Sequence, residues 1–270
     1  MIALRRVGKG VVFLLIAVMI TYLLMPLLSV FISKSPQTIL EKLEGSLIYE
    51  ALSLSLKTTS IALIFIVGLG TPLAYWLAKS DFKGKKGLEV ALKMPIVAPT
   101  AVVGVGLLLI FGQRGMLGDT LSVLGITIPF TSIAVVMAQI FMASPFYITT
   151  ARQGFEAVDD QLIAVSQTLG VNPWKTFWRV TIPLALPGLL TGVALSWALA
   201  LGEFGATMMF AGNLPGKTQT LPLAIYTAME SDADVALAIS ALLLTVSFSL
   251  LLFVSFIERF MEKVVGTARR

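Results

Sequence analysis

The sequence predicts an all-α polytopic membrane protein with six transmembrane helices, and three observations lead to this fold class. Of the 270 residues, 57% are hydrophobic and only 13% are charged, whereas a soluble domain carries about 25% charged residues. Uncharged stretches of the length that crosses about 30 Å of hydrocarbon recur along the chain. The chain contains no cysteine and no histidine, which excludes disulfides, thiolate zinc sites and histidine-based catalysis. These observations exclude an ordinary soluble enzyme.

Six uncharged stretches define the predicted spans. A longer uncharged run, residues 120–151, contains Gly125 and Pro129, so we assign its first part to an outer loop and its second part to the fourth span. An even number of spans places both termini on the same side of the membrane. The predicted spans are residues 11–33, 58–78, 94–113, 131–151, 180–202 and 235–257.

Glycine and proline interrupt two of these spans. Because proline removes a backbone donor and glycine loosens a helix, we expect bends in the second and third spans. Such bends suit helices that rock between inward-open and outward-open states, and they are also common in static bundles. The residues concerned are Gly68, Gly70, Pro72, Pro95, Pro99, Gly104 and Gly106.

Lysine and arginine set the orientation, because cytoplasmic loops collect them. Both termini are predicted to be cytoplasmic, and the net charge of +5 reflects this topology rather than nucleic-acid binding. The first span is about twice as long as a signal-peptide core and no clear cleavage site follows it, so we expect an uncleaved anchor. Fifteen of the twenty basic residues lie on the predicted cytoplasmic side: Arg5, Arg6, Lys9, Lys79, Lys83, Lys85, Lys86, Lys93, Arg152, Lys175, Arg179, Arg259, Lys263, Arg269 and Arg270.

The longest predicted cytoplasmic loop, residues 152–182, has helical signals of its own. Asp159 and Asp160 stand where a helix N-terminus favours acidic side chains. Gly170 supplies a C-terminal stop. Between these ends, the spacing predicts a short helix with one face formed by Leu162, Ile163, Ser166 and Leu169.

A second short helix is predicted to follow. Asn172 can cap it, and Pro173 suits its first position. Trp174, Phe177 and Trp178 give it a bulky apolar face. Two interpretations of this amphipathic loop stay open on physical grounds. It either lies on the lipid surface, or it docks into a groove on a partner protein, where Trp, Phe and Leu are common anchors.

The spacing within this loop resembles that of the inner-membrane permease subunits of ABC importers. Their signature is Glu-Ala-Ala, three residues, Gly, nine residues and Ile-x-Leu-Pro. Here residues 164–166 are Ala-Val-Ser, Gly170 follows after three residues, and a Val-Thr-Ile-Pro run ending at Pro183 follows after nine more. The glutamate of the signature is absent. With six spans in matching order, the resemblance covers roughly residues 50–257.

The resemblance implies the type I ABC importer transmembrane fold and a location in the cytoplasmic (inner) membrane. In that family the loop, hereafter the coupling loop, carries a coupling helix that lies in a cleft of the ATP-hydrolysing subunit. The implied partners are a second copy of the chain, two ATP-binding cassette subunits and an extracytoplasmic oxyanion-binding protein. The residues carried over, together with acidic residues upstream that could replace the missing glutamate, are Glu156, Asp159, Asp160, Ala164, Val165, Ser166, Leu169, Gly170, Pro173 and Pro183.

The resemblance also implies that this subunit has no catalytic residues, no metal site and no cofactor, because ATP and Mg would be bound by the partner ATPase. One segment, residues 212–218, looks like a phosphate-binding loop. The first glycine of a Walker motif would have to stand at Ala211, and the loop is predicted to lie on the outer side of the membrane. We therefore expect no nucleotide binding here.

Three outer segments narrow the resemblance to permeases for tetrahedral oxyanions. Residues 201–207, 213–222 and 111–115 resemble molybdate, tungstate and sulfate permeases, with the greatest likeness to those for molybdate and tungstate. The implied function is the import of molybdate or tungstate. Sulfate or thiosulfate is the alternative substrate.

Glu203 is the only carboxylate that borders the apolar part of a span, and acidic residues there are functional candidates. An anion path lined by a carboxylate is electrostatically unfavourable, so we favour a structural role. Glu203 would accept hydrogen bonds or pair with a cation such as Arg114. Thr207 and Asn213 are further gate candidates, and Lys217 either attracts the anion or is a solvated loop residue.

Small residues recur every fourth position along the fifth span: Gly188, Gly192, Ser196 and Ala200. Such a pattern lets helix backbones approach closely. It is explained either by packing within one subunit or by a helix that lines the path at the subunit interface.

The predicted organisation is an N-terminal span with its outer loop (residues 1–50), a transmembrane core (51–258) and a cytoplasmic tail (259–270). The rival class is an ion-coupled secondary transporter, which usually places Asp, Glu or His in mid-membrane. Glu203 is the sole candidate, and it lies near a span's end. An intramembrane enzyme would lack histidine, cysteine and a buried acid pair to run its chemistry.

Overall fold

The computed structural model describes residues 2–267, with side chains described for residues 11–257. Within residues 2–267 all regular secondary structure is helical, as predicted. Arg269 and Arg270 of the predicted tail, and the side chains of Arg5, Arg6, Lys9, Arg259 and Lys263, lie outside the described residues. The helices are α1 (Ile2–Ile32), α2 (Pro36–Lys42), α3 (Ser46–Lys79), α4 (Lys85–Val97), α5 (Thr100–Phe111), α6 (Gly118–Val123), α7 (Ser132–Glu156), α8 (Asp160–Thr168), α9 (Pro173–Thr176), α10 (Ile182–Leu201), α11 (Gly205–Ala211), α12 (Leu221–Ser231) and α13 (Ala233–Thr267).

Five segments within the described part of the chain are long and apolar enough to cross a membrane. Helices α4 and α5 together meet the same test as a span that is bent by 109°. The six predicted spans are thus confirmed when the bent pair is counted as one span. The five segments are Val11–Ile32, Ser46–Lys79, Ser132–Glu156, Pro173–Leu201 and Ala233–Ile257.

The third span differs from the straight stretch predicted over residues 94–113. Ala98 is extended, with φ −70° and ψ 133°, because a residue that precedes proline is pushed out of the helical region. Pro99 follows it and stands at the start of α5. The bend expected from proline is confirmed at this position. Pro72 and Pro95, in contrast, lie inside helices that continue past them.

The fifth span begins earlier than the predicted residue 180. A π-helical turn over Phe177–Thr181 joins α9 to α10, so one helical segment runs over Pro173–Leu201. The second short helix of the coupling loop is therefore the start of the span rather than a separate element. A π turn inserted in an α-helix often marks a functional position.

Helix α7 lies at the centre of the bundle and packs against both α3 and α10. Small residues allow the approach of α10, since a Cβ atom on Gly188 would lie only 2.6 Å from the Cα atom of Gly154 on α7. Ser196 Oγ of α10 donates a hydrogen bond to the carbonyl oxygen of Ala143 on α7, at 3.1 Å. Helix α1 differs sharply, because the most apolar part of Val11–Ile32 has no buried residue.

Candidate functional site

The coupling helix α8 begins and ends as the sequence predicts. Asp159 is its N-cap, and its Oδ1 atom accepts a hydrogen bond from the backbone N–H of Gln161 at 2.9 Å. At the other end Gly170 has φ +80°. Its N–H bonds to Gln167 O at 3.0 Å, while the N–H of the next residue bonds to Ser166 O at 3.2 Å. This pair of hydrogen bonds is a Schellman motif, which requires a left-handed residue and therefore favours glycine.

The next turn is also capped as predicted. Asn172 Oδ1 accepts a hydrogen bond from the backbone N–H of Lys175 at 2.8 Å, and Pro173 occupies the first helical position. Trp174 and Trp178 stay more than half exposed. The ring of Trp174 stacks on that of Phe177 at a centroid distance of 6.2 Å. Trp178 meets Phe177 edge-to-face at 5.4 Å. The aromatic face predicted for this segment therefore exists, at the start of the fifth span.

One side of α8 packs against the rest of the chain. Ile163 contacts the buried cluster that includes Phe155 of α7. The hydroxyl of Ser166 lies 3.0 Å from the hydroxyl of Thr176, within hydrogen-bond distance. These contacts fix which way the short helix faces.

The adjoining face of α8 carries exposed aliphatic side chains. Leu162, Val165 and Leu169 have 44%, 54% and 78% of their surface exposed. The single face predicted from Leu162, Ile163, Ser166 and Leu169 is therefore divided in two. Three neighbouring aliphatic side chains that no part of the described chain covers form a surface suited to a protein partner.

The start of α8 is tied to the end of α3. Lys79 Nζ lies 2.5 Å from Asp160 Oδ1 and donates a second hydrogen bond to the carbonyl oxygen of Val158 at 3.1 Å. Asp160 keeps 82% of its side chain exposed, whereas Lys79 keeps 19%. The lysine thereby fixes the chain where it leaves α7 and enters α8.

A second ion-pair group ties the end of α7 to α4. The guanidinium of Arg152 pairs with Glu89 of α4 and, through Nε at 3.3 Å, with Glu156 one turn further along α7. Of the three upstream acids, Glu156 is therefore paired within the chain, Asp159 caps α8, and Asp160 pairs with Lys79. In the sequence, the spacing of four residues between Arg152 and Glu156 is the signal that indicates this pair.

The remaining coupling-loop candidates lie at the surface or at helix starts. Ala164 is exposed beside Val165. Pro183 stands at the second position of α10, directly after the π turn.

In the half predicted to face outward, Glu203 lies in the break between α10 and α11 and is only 7% exposed. Its Oε1 atom accepts a hydrogen bond from the backbone N–H of Ala206 at 2.8 Å, so it caps the start of α11. The ion pairs among the described side chains do not include one between Glu203 and Arg114. Thr207, one turn into α11, is fully buried, and its hydroxyl has no hydrogen-bond partner among the described residues.

Helices α5 and α11 lie in backbone contact. A Cβ atom on Gly104 of α5 would lie 2.7 Å from the carbonyl oxygen of Ala206, and one on Gly205 of α11 would lie 2.0 Å from Thr100 Oγ1. Both glycines are therefore required by close approach. Helix α5, which follows the break in the third span, therefore packs directly against α11, which follows the break after α10.

The outer loop, residues 212–220, is closed by its own hydrogen bonds. Asn213 Nδ2 donates to Thr227 Oγ1 at 2.8 Å, and Gln219 Nε2 donates to Asn213 Oδ1 at 2.9 Å. The backbone N–H groups of residues 217–219 all donate to Leu214 O. A phosphate-binding loop would need such donors free, so the geometry agrees with the exclusion of a nucleotide site. Lys217 is exposed on this loop.

The small-residue face of α10 is turned toward α7. Gly188 meets Gly154, and a Cβ atom on Gly192 would lie 3.1 Å from the ring of Tyr147. Ser196 bonds to the α7 backbone, as described above. The contacts present are thus those of packing within one subunit.

Comparisons with known proteins agree with this geometry. The probable transport system permease protein NifC of Clostridium pasteurianum is 39% identical over 89% of this chain and 84% of its own length. The molybdenum transport system permease protein ModB of Mycobacterium tuberculosis is 41% identical over 73% of this chain and 75% of its own length. ModB of Escherichia coli is 40% identical over 68% of this chain and 80% of its own length.

Solved structures show the same fold at low sequence identity. A chain of a bacterial ABC transporter for the polysaccharide alginate superposes with TM-score 0.71 and 16% identity, covering 94% of this chain and 96% of that one. A chain of the MetNI methionine ABC transporter, in an inward-facing conformation, gives TM-score 0.62 and 18% identity, covering 80% and 96%. The fold is therefore that of ABC importer transmembrane subunits.

The family described as the inner membrane component of binding-protein-dependent transport systems matches residues 70–263. That range includes the bent third span, the coupling loop and the α10–α11 break. The chain therefore belongs to this family of multi-pass inner-membrane permease subunits.

Proposed function

We propose that this chain is the membrane-spanning subunit of an ATP-driven importer for molybdate or tungstate. The main support for an ATP-driven mechanism is the exposed aliphatic side of α8, formed by Leu162, Val165 and Leu169, which is suited to bind an ATPase subunit. The relatives named as molybdenum permeases support the substrate class. The outer segments that resemble oxyanion permeases in sequence support it independently.

The ATP-binding cassette subunit would cover α8. Exposure of Leu, Val and Leu to water raises the free energy, and burying them in a groove is favourable by about 25 cal/mol for each Å² of apolar surface covered. The Schellman stop at Gly170 and the cap at Asp159 keep α8 short and rigid enough to enter such a groove. ATP and Mg would bind to that partner, and this chain would contribute no catalytic residue.

The two sequence interpretations of the coupling loop apply to different segments. Trp174 and Trp178 lie exposed at the start of the fifth span, where tryptophan commonly marks the membrane interface. The exposed side of α8 carries Leu and Val instead. We propose that Trp174 and Trp178 contact the lipid surface and that the exposed side of α8 docks on the partner protein.

Two copies of the chain would form the path, and an external binding protein would deliver the anion to the outer loops. Closure of the ATPases would move the coupling helices, and the spans would rock between inward-open and outward-open states. Glu203 would hold the start of α11, and Thr207 and Asn213 would lie near the outer gate. An uncharged path suits transient passage, because a tight site would retain the anion.

Reconstitution in liposomes tests this function. The chain, its ATPase subunit and its binding protein should accumulate radiolabelled molybdate only when ATP is present on the ATPase side. Unlabelled tungstate should compete, and sulfate at equal concentration should not. Effective competition by sulfate would overturn the substrate assignment. Uptake that continues with a hydrolysis-dead ATPase, or that follows an ion gradient, would overturn the class.

A further inference from the structure

We infer that the ion pair between Arg152 and Glu89 transmits movement of the coupling helix to the bent third span, with Arg152 as the positioning residue. The inference rests on the proposed ATP-driven function. Arg152 lies in the last turns of α7, and a short connection leads from the end of α7 to α8. One guanidinium contacts two carboxylates on two different helices.

The pair is well placed to carry force because it is largely shielded. Arg152 and Glu89 each keep only 22% of the side chain exposed. An exposed ion pair contributes little, whereas the loss of one partner from a shielded pair leaves a charge without compensation. The guanidinium pairs with Glu89 through a terminal nitrogen, while its Nε atom lies 3.3 Å from a carboxylate oxygen of Glu156 without a hydrogen bond between them.

Helix α4 is attached to the bundle on one side only. Leu88 and Leu92 pack against the buried cluster around α7, and Glu89 lies between them in sequence. Val90 and Met94 are about two-thirds exposed on the other side. Two leucines and one ion pair are thus among the contacts that hold α4 to the bundle, so displacement of Arg152 would displace α4.

From α4 the movement reaches the outer half through few residues. Only Ala98 and Pro99 separate α4 from α5. Helix α5 is in backbone contact with α11 through Gly104. Glu203 caps the start of α11 in the break after α10. A continuous series of contacts therefore leads from the coupling loop to the candidate outer gate.

The test separates coupling from assembly by measuring two rates on one preparation. Purified complexes of wild type and Glu89→Gln are placed in liposomes with binding protein and molybdate, and molybdate taken up and ATP hydrolysed are measured together. We expect Glu89→Gln to assemble with the ATPase as wild type does and to lower the molybdate transported per ATP by about fivefold or more, the lower range of coupling effects. Lys42→Gln, which removes an ion pair on the outer face with Asp232, is the matched control and should leave the ratio unchanged.

The double variant Arg152→Glu with Glu89→Arg restores opposite charges across α7 and α4. It should recover most of the lost molybdate-to-ATP ratio, which a purely local packing defect would not do. An unchanged ratio in Glu89→Gln, or an equal fall in Lys42→Gln, overturns the role of Arg152 while leaving ATP-driven import intact. A wild-type complex with no ATP-driven uptake overturns the proposed function and this inference together.

Discussion

The coupling loop and the loop of residues 212–220, which are predicted to lie on opposite sides of the membrane, have similar backbone features but different surfaces. Each contains a glycine with positive φ, Gly170 at +80° and Gly212 at +72°. The coupling loop turns Leu162 and Leu169 outward. The outer loop instead buries Thr218, Gln219 and Thr220, and side-chain hydrogen bonds close it. An exposed aliphatic surface on a capped helix needs a partner, whereas a loop whose side chains are mostly bonded within the chain exposes no such surface.

Substitution of Leu169 should give the largest effect. Leu169→Glu places a charge at the most exposed of the three aliphatic positions of α8. Burial of an unpaired charge is costly, so affinity for the ATPase subunit should fall at least about 30-fold, equivalent to the ~2 kcal/mol of an interface hot spot. Co-purification from membranes measures it. Gln167 is also exposed on α8, and the Gln167→Glu variant should bind the ATPase subunit as wild type does. An equal loss of affinity in both variants would show that the added negative charge, rather than the loss of the leucine, weakens binding.

Removal of the Glu203 carboxylate should have the next largest effect. Glu203 lies in the break between α10 and α11, away from the coupling loop. Glu203→Ala leaves the buried N–H of Ala206 without its acceptor, at a cost of about 1–3 kcal/mol. Thermal unfolding in detergent should occur at lower temperature, while ATPase binding stays normal. Glu203→Gln keeps an acceptor oxygen and should remain close to wild type. A Gln variant as unstable as the Ala variant would contradict the capping role.

A smaller effect is expected at the end of the coupling helix. Gly170→Ala introduces a side chain at φ +80° with open space around it, so the cost is backbone strain of about 1 kcal/mol. ATPase affinity should fall about fivefold, the equivalent of that energy. Gly87→Ala in α4 also meets open space but has no positive φ, and it should leave binding unchanged. Equal binding of both variants to the ATPase would contradict a role of the Schellman motif in ATPase binding.

The smallest effect is expected at the outer face. A hydrogen bond from Lys42 holds the pKa of Asp232 below its ordinary value. Because the folded pKa is depressed, the stabilisation is present at neutral pH and is lost as pH falls through the folded pKa of Asp232. Asp232→Asn should therefore lower the melting temperature slightly at pH 7 and not at all in strong acid. A difference that grows on acidification would contradict this assignment.

Local features of the site were predictable from sequence, and features that depend on distant contacts were not. Asp159, Gly170 and Asn172 act within a few residues of their own position, so their caps follow from the chain itself. Which residues of the α8 apolar face are exposed could not be predicted from sequence, because Leu162 and Ile163 are adjacent and both apolar. Contacts with α7 and Thr176 decide which of them faces the bundle.

The third span also combines a feature that was predictable from sequence with features that were not. Pro99 indicated where the helix breaks, but neither the angle of 109° nor the close contact of α5 with α11 could be predicted from the local sequence. Nothing local indicated the π turn over Phe177–Thr181 or the pairing of Arg152 with Glu89, a residue on another helix. The predicted cytoplasmic location of both termini stays a prediction.

Single-cysteine cross-linking tests the central contrast most directly, because the native chain contains no cysteine. Leu169→Cys on α8 and Lys217→Cys on the outer loop would each carry the only thiol of the subunit. A short thiol-reactive cross-linker should join the first variant to the ATPase subunit in intact membranes and leave the second unjoined to it. Failure of Leu169→Cys to cross-link, or an ATPase adduct from Lys217→Cys, would contradict the account.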